Sequence, residues 1–284
     1  MGILRGMPPL KRLRKRTPAA TARPADTAPP PPARTASATA GEQSAPRRPF
    51  RISETLPVLL VRAAHPKQAL LTAAGLSIAA ALADRPLREV GLVFLIALVG
   101  QTMLGWDNDL VDRVRDERHD LPGKPVATGL LDPGTVWFSL TCALLLVVPL
   151  ALSAGVRAGG AYLLALLVGF VGNRFLRGSA LSFLPWAVQF ALYPAFLAYG
   201  GWNGLGADSA PTVLMTVLAA LLGIGIHVLR ALPGLVPDNK DGLRSLPLRI
   251  ALRIGAPRLL VVAGVFTAAV VVAMLITGQT LGLT

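Results

Sequence analysis

From residue 69 onward, apolar residues run in long blocks separated by short polar segments. The blocks cover 69–83, 90–105, 135–153, 158–171, 181–199, 211–229 and 257–276, seven in all. Blocks of this length and purity read as membrane-crossing helices, which need about 20 residues each. Several blocks are shorter than that, so their ends must borrow from the flanking polar segments. The pattern predicts an all-α fold, a polytopic membrane helical bundle of about seven transmembrane helices. Glycines and prolines inside the blocks (Gly160, Gly169, Pro185, Pro194) fit this reading, because membrane helices tolerate them and use them for close packing.

Residues 1–55 have a different pattern. They are rich in Pro, Ala, Thr and Arg, include the run Pro29-Pro30-Pro31-Pro32, and carry too few large apolar residues to build a core. We expect a disordered basic tail on the cytoplasmic side, resting on anionic lipid headgroups. No apolar stretch follows the basic start, which excludes a secretory signal. The Arg-rich, acid-poor character leaves a transit peptide as the alternative. Residues 56–284 then form the transmembrane domain.

Composition agrees. The chain is 53% hydrophobic with only 15% charged residues, against roughly 25% charged in soluble domains, and its mean hydropathy is +0.56. Cys142 is the single cysteine, which excludes an internal disulfide and a Cys-based zinc site. The formal charge of +13 does not point to nucleic acid. Much of it lies in the basic tail, and the rest sits in polar segments between the blocks. Placing the tail inside puts Arg113, Arg115, Arg118 and Lys124, then Arg174 and Arg177, then Arg230, Lys240, Arg244, Arg249, Arg253 and Arg258 on the cytoplasmic face. The other segments carry only Arg85, Arg88 and Arg157, so the positive-inside rule sets the orientation.

Two acidic constellations stand on that face. After the second block comes Asn108-Asp109-x-x-Asp112-x-x-x-Asp116. Spacings of i, i+3 and i+7 put the three acids on one face of a continuing helix. Three like charges side by side make little structural sense without a cation, and carboxylate oxygens are what Mg²⁺ prefers. After the sixth block, Asp238 and Asp241 are again three apart, in a segment whose Pro-Asp and Asp-Gly pairs also read as an ordinary turn. Shared placement on one face lets the two clusters hold metal ions and a diphosphate between them.

The first constellation, followed by Lys124-Pro125-Val126-Ala127-x-Gly129, resembles the first signature of the UbiA superfamily of intramembrane prenyltransferases. Asp238-x-x-x-Gly242-x-x-Ser245-Leu246-Pro247 resembles the end of the second. The resemblance implies a helical bundle whose cavity opens sideways to lipid and binds Mg²⁺ with a prenyl diphosphate. Asn108, Asp109, Asp112 and Asp116 would hold one metal, and Asp238 with Asp241 the other; these six are also the expected catalytic residues. Lys124, Arg174, Arg177 and Arg244 would grip the diphosphate. Two departures stand out. The stretch 231–236 lacks the acids the family usually has there, and one clear block follows Pro247 where three of the family's usual nine helices are expected. Either the bundle is shortened or a partner or second copy completes it.

The implied reaction ionises an allylic carbon–oxygen bond and delivers the cation to a lipophilic or membrane-accessible acceptor, such as a quinone-type aromatic. Trp186, Phe190 and Tyr193 are spaced to share a helix face and could line a cation pocket, or simply pack. His65 reads as a histidine at headgroup level, and Trp106 and Trp137 as interfacial anchors. His227, Gln189 and Asn173 are polar residues in or near spans and so functional candidates. Rival readings are an intramembrane terpene cyclase, and a non-catalytic isoprenoid-binding protein or transporter.

Overall fold

A computed structural model describes residues 52–201 and 210–280, with side chains to residue 278. The expected tail therefore lies outside the described residues apart from its last few, where Ile52–Glu54 make a 3-10 turn. Part of the polar segment after the fifth block is outside them as well.

Among the described residues every regular element is a helix: α1 (Leu56–Ala63), α2 (Pro66–Leu82), α3 (Leu87–Arg118), α4 (Pro133–Ser153), α5 (Val156–Val171), α6 (Leu184–Ala198), α7 (Val213–Ala231), α8 (Leu235–Lys240), α9 (Leu246–Ile254) and α10 (Ala256–Thr280). The seven apolar blocks are α2 to α7 and α10. Five helical stretches are long and apolar enough to cross a membrane: 87–118, 133–153, 156–176, 213–240 and 256–278. The apolar α6 has 15 residues and α2 has 17. The expected borrowing from flanking segments is clearest in α3, which runs 13 residues past the predicted end of its block, from Gly105 to Arg118. That extension carries the first acidic constellation into the helix.

Local chemistry sets the helix starts. Asp132 caps α4 by accepting a hydrogen bond from the Thr135 amide at 2.9 Å, with Pro133 at the first helical position. Thr212 caps α7 in the same way through Met215. His65 adopts a left-handed backbone conformation (φ 52°) directly before Pro66, which breaks the chain between α1 and α2.

The core interleaves alanines with large apolar side chains. Ala73, Ala97, Ala151, Ala158 and Ala165 are buried with Ile96, Met103, Tyr162 and Phe196. Small side chains let helix backbones approach closely, which drives packing where lipid and protein are equally apolar. Two polar contacts cross this core: Gln101 donates to the Tyr193 hydroxyl at 3.1 Å, and the Tyr162 hydroxyl donates to the Ala97 carbonyl at 3.3 Å. The outer face is apolar too, with Leu71, Phe138, Leu145 and Val261 all exposed. An apolar exterior around a core with alanines at the helix contacts is the pattern of a lipid-embedded bundle.

A second cluster, Leu59, Ala63, Val126, Leu131 and Val136, pins the α3–α4 connection beneath α1. It fixes the position of Lys124, two residues before Val126.

Candidate functional site

The α3 extension is where the acids gather. Asp109, Asp112 and Asp116 are all buried on one helix face, as their spacing predicts, and Asp107 is fully buried on another. Basic side chains from three other segments meet them. Lys124 Nζ lies 2.8 Å from Asp109 Oδ1 and 3.1 Å from Asp116 Oδ2. His65 Nε2 shares the same Asp109 oxygen at 3.1 Å, so this histidine joins the acidic cluster. Arg177 pairs with Asp112, which also accepts a hydrogen bond from Asn108. Arg174 pairs with Asp107, and Asn173 donates to the same carboxylate at 3.2 Å.

Gly105 makes the His65 contact possible. A Cβ there would fall 2.9 Å from the Ala64 Cα and closer still to its carbonyl carbon and oxygen. Only a glycine lets the α1–α2 junction sit against α3, one turn before Asp109. The basic residues after α5 depend on a different irregularity. Residues Gly172–Leu176 form a turn of π-helix, a wider turn holding one extra residue, and this turn carries Asn173 and Arg174 toward Asp107.

The second constellation is joined to the first by Arg115. Its guanidinium reaches from α3 to Asp238, and its Nε donates to Asp241 at 2.8 Å. Asp241 also receives His119 at 2.8 Å and Arg118 at 3.3 Å. The His119 hydrogen bond, with Arg115 beside it, holds the Asp241 carboxyl below its ordinary value. The segment after α8 is tied down by its backbone: the Arg244 amide donates to the Gly178 carbonyl at 2.9 Å, and the Leu246 amide to Ser182 Oγ at 3.2 Å.

Between these groups lies a cavity of about 190 Å³. Asn108, Arg115, Arg177 and Asp238 line it with His65 and Gln68; Trp186, Gln189, His227, Arg230 and Ser245 also line it, beside small residues such as Gly169 and Gly172. Gln189 Nε2 and Ser245 Oγ are buried there without a hydrogen-bond partner. His227 Nε2 and Ser182 Oγ share a hydrogen bond at 3.1 Å.

The structure thus brings Asn108, Asp109, Asp112, Asp116, Asp238, Asp241, Lys124, Arg174 and Arg177 into one linked cluster of charges. Arg244 is not part of it; its side chain is exposed and only its backbone is engaged. Trp186 lines the cavity, while Phe190 and Tyr193 pack in the core with their rings tilted at 59° and centroids 5.1 Å apart. Trp106 donates to the Leu60 carbonyl at 2.9 Å, and Trp137 lies under the Arg174 guanidinium, so neither acts only as an interfacial anchor. Sequence reasoning missed Asp107, Arg115, His119 and Arg230. Asp107 adjoins the signature, Arg115 follows on the same helix and His119 is the residue that ends it, so a helix unbroken to Arg118 brings all three to the acidic segment.

Among the described residues, no three His, Cys, Asp or Glu side chains converge into a ready cation site, because basic groups stand between the acids. Asp109 Oδ2 nevertheless remains buried without a hydrogen-bond donor.

The fold has solved counterparts. A UbiA homolog from Archaeoglobus fulgidus bound to DMAPP and Mg²⁺ aligns with a TM-score of 0.57 at 19% identity, covering 78% of this chain and 87% of that one. The same homolog bound to GPP and Mg²⁺ aligns with a TM-score of 0.57 at 18% identity over the same shares. No curated protein matches the sequence. The sequence model of the UbiA prenyltransferase family matches residues 69–284. That match takes in α3 with all its acids, the basic turn after α5 and the α8 segment, and the chain belongs to the UbiA prenyltransferase family.

Proposed function

We propose that this protein is a Mg²⁺-dependent membrane prenyltransferase. It moves an isoprenyl group from a prenyl diphosphate to a lipophilic or membrane-accessible acceptor, of the quinone-aromatic kind or similar. The observation that carries this reading is the row of three buried carboxylates on α3, joined by Arg115 to Asp238 at the edge of a cavity that Asn108, Arg115 and Asp238 line. The Archaeoglobus homolog of the same fold, bound to prenyl diphosphates and Mg²⁺, supports it.

The residues present fit a hard divalent cation. Asp109, Asp112 and Asp116 offer oxygen ligands on one face, and Asp109 Oδ2 is buried with no donor to satisfy it. When bound there, Mg²⁺ would neutralise charge on the diphosphate as it departs. Asn108, Asp109, Asp112 and Asp116 would hold it. Arg177 and Lys124 are long side chains already at the cluster and can turn from carboxylate to phosphate oxygens. Asp238 and Asp241 keep Arg115 aimed across the cavity. In the reaction the allylic carbon–oxygen bond breaks with its electron pair on the diphosphate, the carbon bonds to the acceptor, and the acceptor gives up a proton. Trp186 offers its ring face to the allylic cation, and the packed helices exclude water.

The basic clusters after α3, after α5 and around α8 and α9 support a multi-pass protein of the cell membrane, with the N-terminus and site on the cytoplasmic side. Purified protein in lipid nanodiscs, given radiolabelled prenyl diphosphates, Mg²⁺ and a membrane lipid extract, should release diphosphate and label an extract component. Asp109→Ala and Asp112→Ala should abolish both. No release, with the variants indistinguishable from the parent, overturns the proposal.

A further inference from the structure

The two walls of the cavity carry different groups. On the α3 wall Asn108 and Arg115 line it, while the carboxylates of Asp109, Asp112 and Asp116 are buried on the same helix outside that lining. On the opposite wall, Arg230 ends α7, Gly234 and Asp238 follow at helical spacing through a 3-10 turn into α8, and all three line the cavity. Asp238 is the one acid of that triplet, and Arg115 already holds it. Asp241, one turn on, does not line the cavity and is committed to Arg115, Arg118 and His119.

Arg230 is different from the other cations of the site. Lys124, Arg115, Arg174 and Arg177 each have a carboxylate partner, whereas Arg230 meets none among the described residues. Its guanidinium lies 5.0 Å over the Trp186 ring and is exposed to the cavity. An aromatic face orients a guanidinium without neutralising it, so its donors stay available to an anion. A second divalent cation on this wall would have to take Asp238 from Arg115 and sit two turns from an unneutralised positive charge.

We propose that Arg230 takes the place of a second metal ion, gripping diphosphate oxygens so that the site binds its substrate with a single divalent cation, on the α3 acids. The inference rests on the prenyl diphosphate reading above and adds to it the number of metal ions and the residue that replaces one. A planar guanidinium matches phosphate oxygens two at a time. As the carbon–oxygen bond breaks, Arg230 would meet the electron pair left on the diphosphate from one side, and Asp109, Asp112 and Asp116 would hold the divalent cation that neutralises it from the other. Trp186 serves both partners, with its ring under Arg230 and beside the carbon that ionises.

The test is a binding measurement on the full-length protein in nanodiscs, with Mn²⁺ as the metal and geranyl S-thiolodiphosphate as an unreactive ligand. Electron paramagnetic resonance counts bound Mn²⁺ per ligand, and calorimetry gives Kd. The parent should bind one Mn²⁺ per thiolodiphosphate. R230M should weaken the ligand about 10- to 100-fold, R230K should recover part of that loss, and thermal melts without ligand should stay close to the parent for both. Two Mn²⁺ per ligand, or an R230M affinity equal to the parent's, overturns the inference and leaves the proposed function standing. A parent that binds no thiolodiphosphate under any Mn²⁺ concentration overturns both.

Discussion

Lys124 and Asp109 form an ion pair at 2.8 Å, with the carboxylate almost wholly buried and its second oxygen left without a hydrogen donor. The same ammonium reaches Asp116 at 3.1 Å, so one lysine holds two of the three α3 acids. In the unliganded protein Lys124 supplies positive charge where the cation of the proposed reaction would bind.

Lys124→Met should therefore destabilise the unliganded protein, by about 3 kcal/mol, because it leaves buried carboxylates facing one another. Mg²⁺ together with a thiolodiphosphate should recover most of the loss. Thermal unfolding in detergent, with and without both additives, checks this. A melting temperature equal to the parent's without additives would show that the pair carries no stability.

Asp112→Asn keeps the shape and removes the charge shared by Arg177 and the proposed cation. Prenyl transfer should fall by about 10²–10³-fold, with the protein still monodisperse on size exclusion. Single-turnover assays at saturating prenyl diphosphate measure the drop, and a change of less than threefold would contradict the assignment.

Gly105→Ala probes how the α1–α2 junction reaches the site. The added methyl would collide with the Ala64 backbone, costing about 1–3 kcal/mol and moving His65 away from Asp109. Thermal unfolding reads the first effect, and the apparent Mg²⁺ requirement for transfer reads the second. An unchanged melt would mean that the helices slide apart freely.

Trp186→Ala should release more of the allylic group as free alcohol and slow transfer about tenfold, while Trp186→Phe stays near the parent. Chromatography of the organic products separates alcohol from transfer product. Equal product ratios in all three proteins would remove Trp186 from the cation pocket.

A cysteine at the exposed Lys240, with Cys142 changed to Ala, tests orientation. An impermeant maleimide should label it in inverted membrane vesicles and not in right-side-out ones. The opposite pattern would place the acids on the outer face.

The apolar blocks and the acid spacing were enough to predict the bundle and the row formed by Asp109, Asp112 and Asp116, because hydropathy and helical period are local properties. What pairs with those acids was not legible. His65, 44 residues from Asp109, reaches it only because Gly105 admits the Ala64 backbone, and no local pattern encodes such an approach. The Arg115 link to Asp238 spans 123 residues. Arg230 looked like one more inner-face arginine until the cavity showed which way it faces. Arg244 shows the reverse case, an arginine expected to grip the diphosphate whose side chain is exposed while its backbone amide is bonded to Gly178.

The wide turn at Gly172–Leu176 makes the length of the chain at this point a functional quantity. Removing one residue would make this last turn of the helix an ordinary α turn, rotating the residues that follow by about 100°. Arg177 would then swing off Asp112, and Arg174 and Asn173 could not both keep Asp107. A deletion of one amino acid, even one that spares every charged side chain, should disarm the site as thoroughly as losing an aspartate.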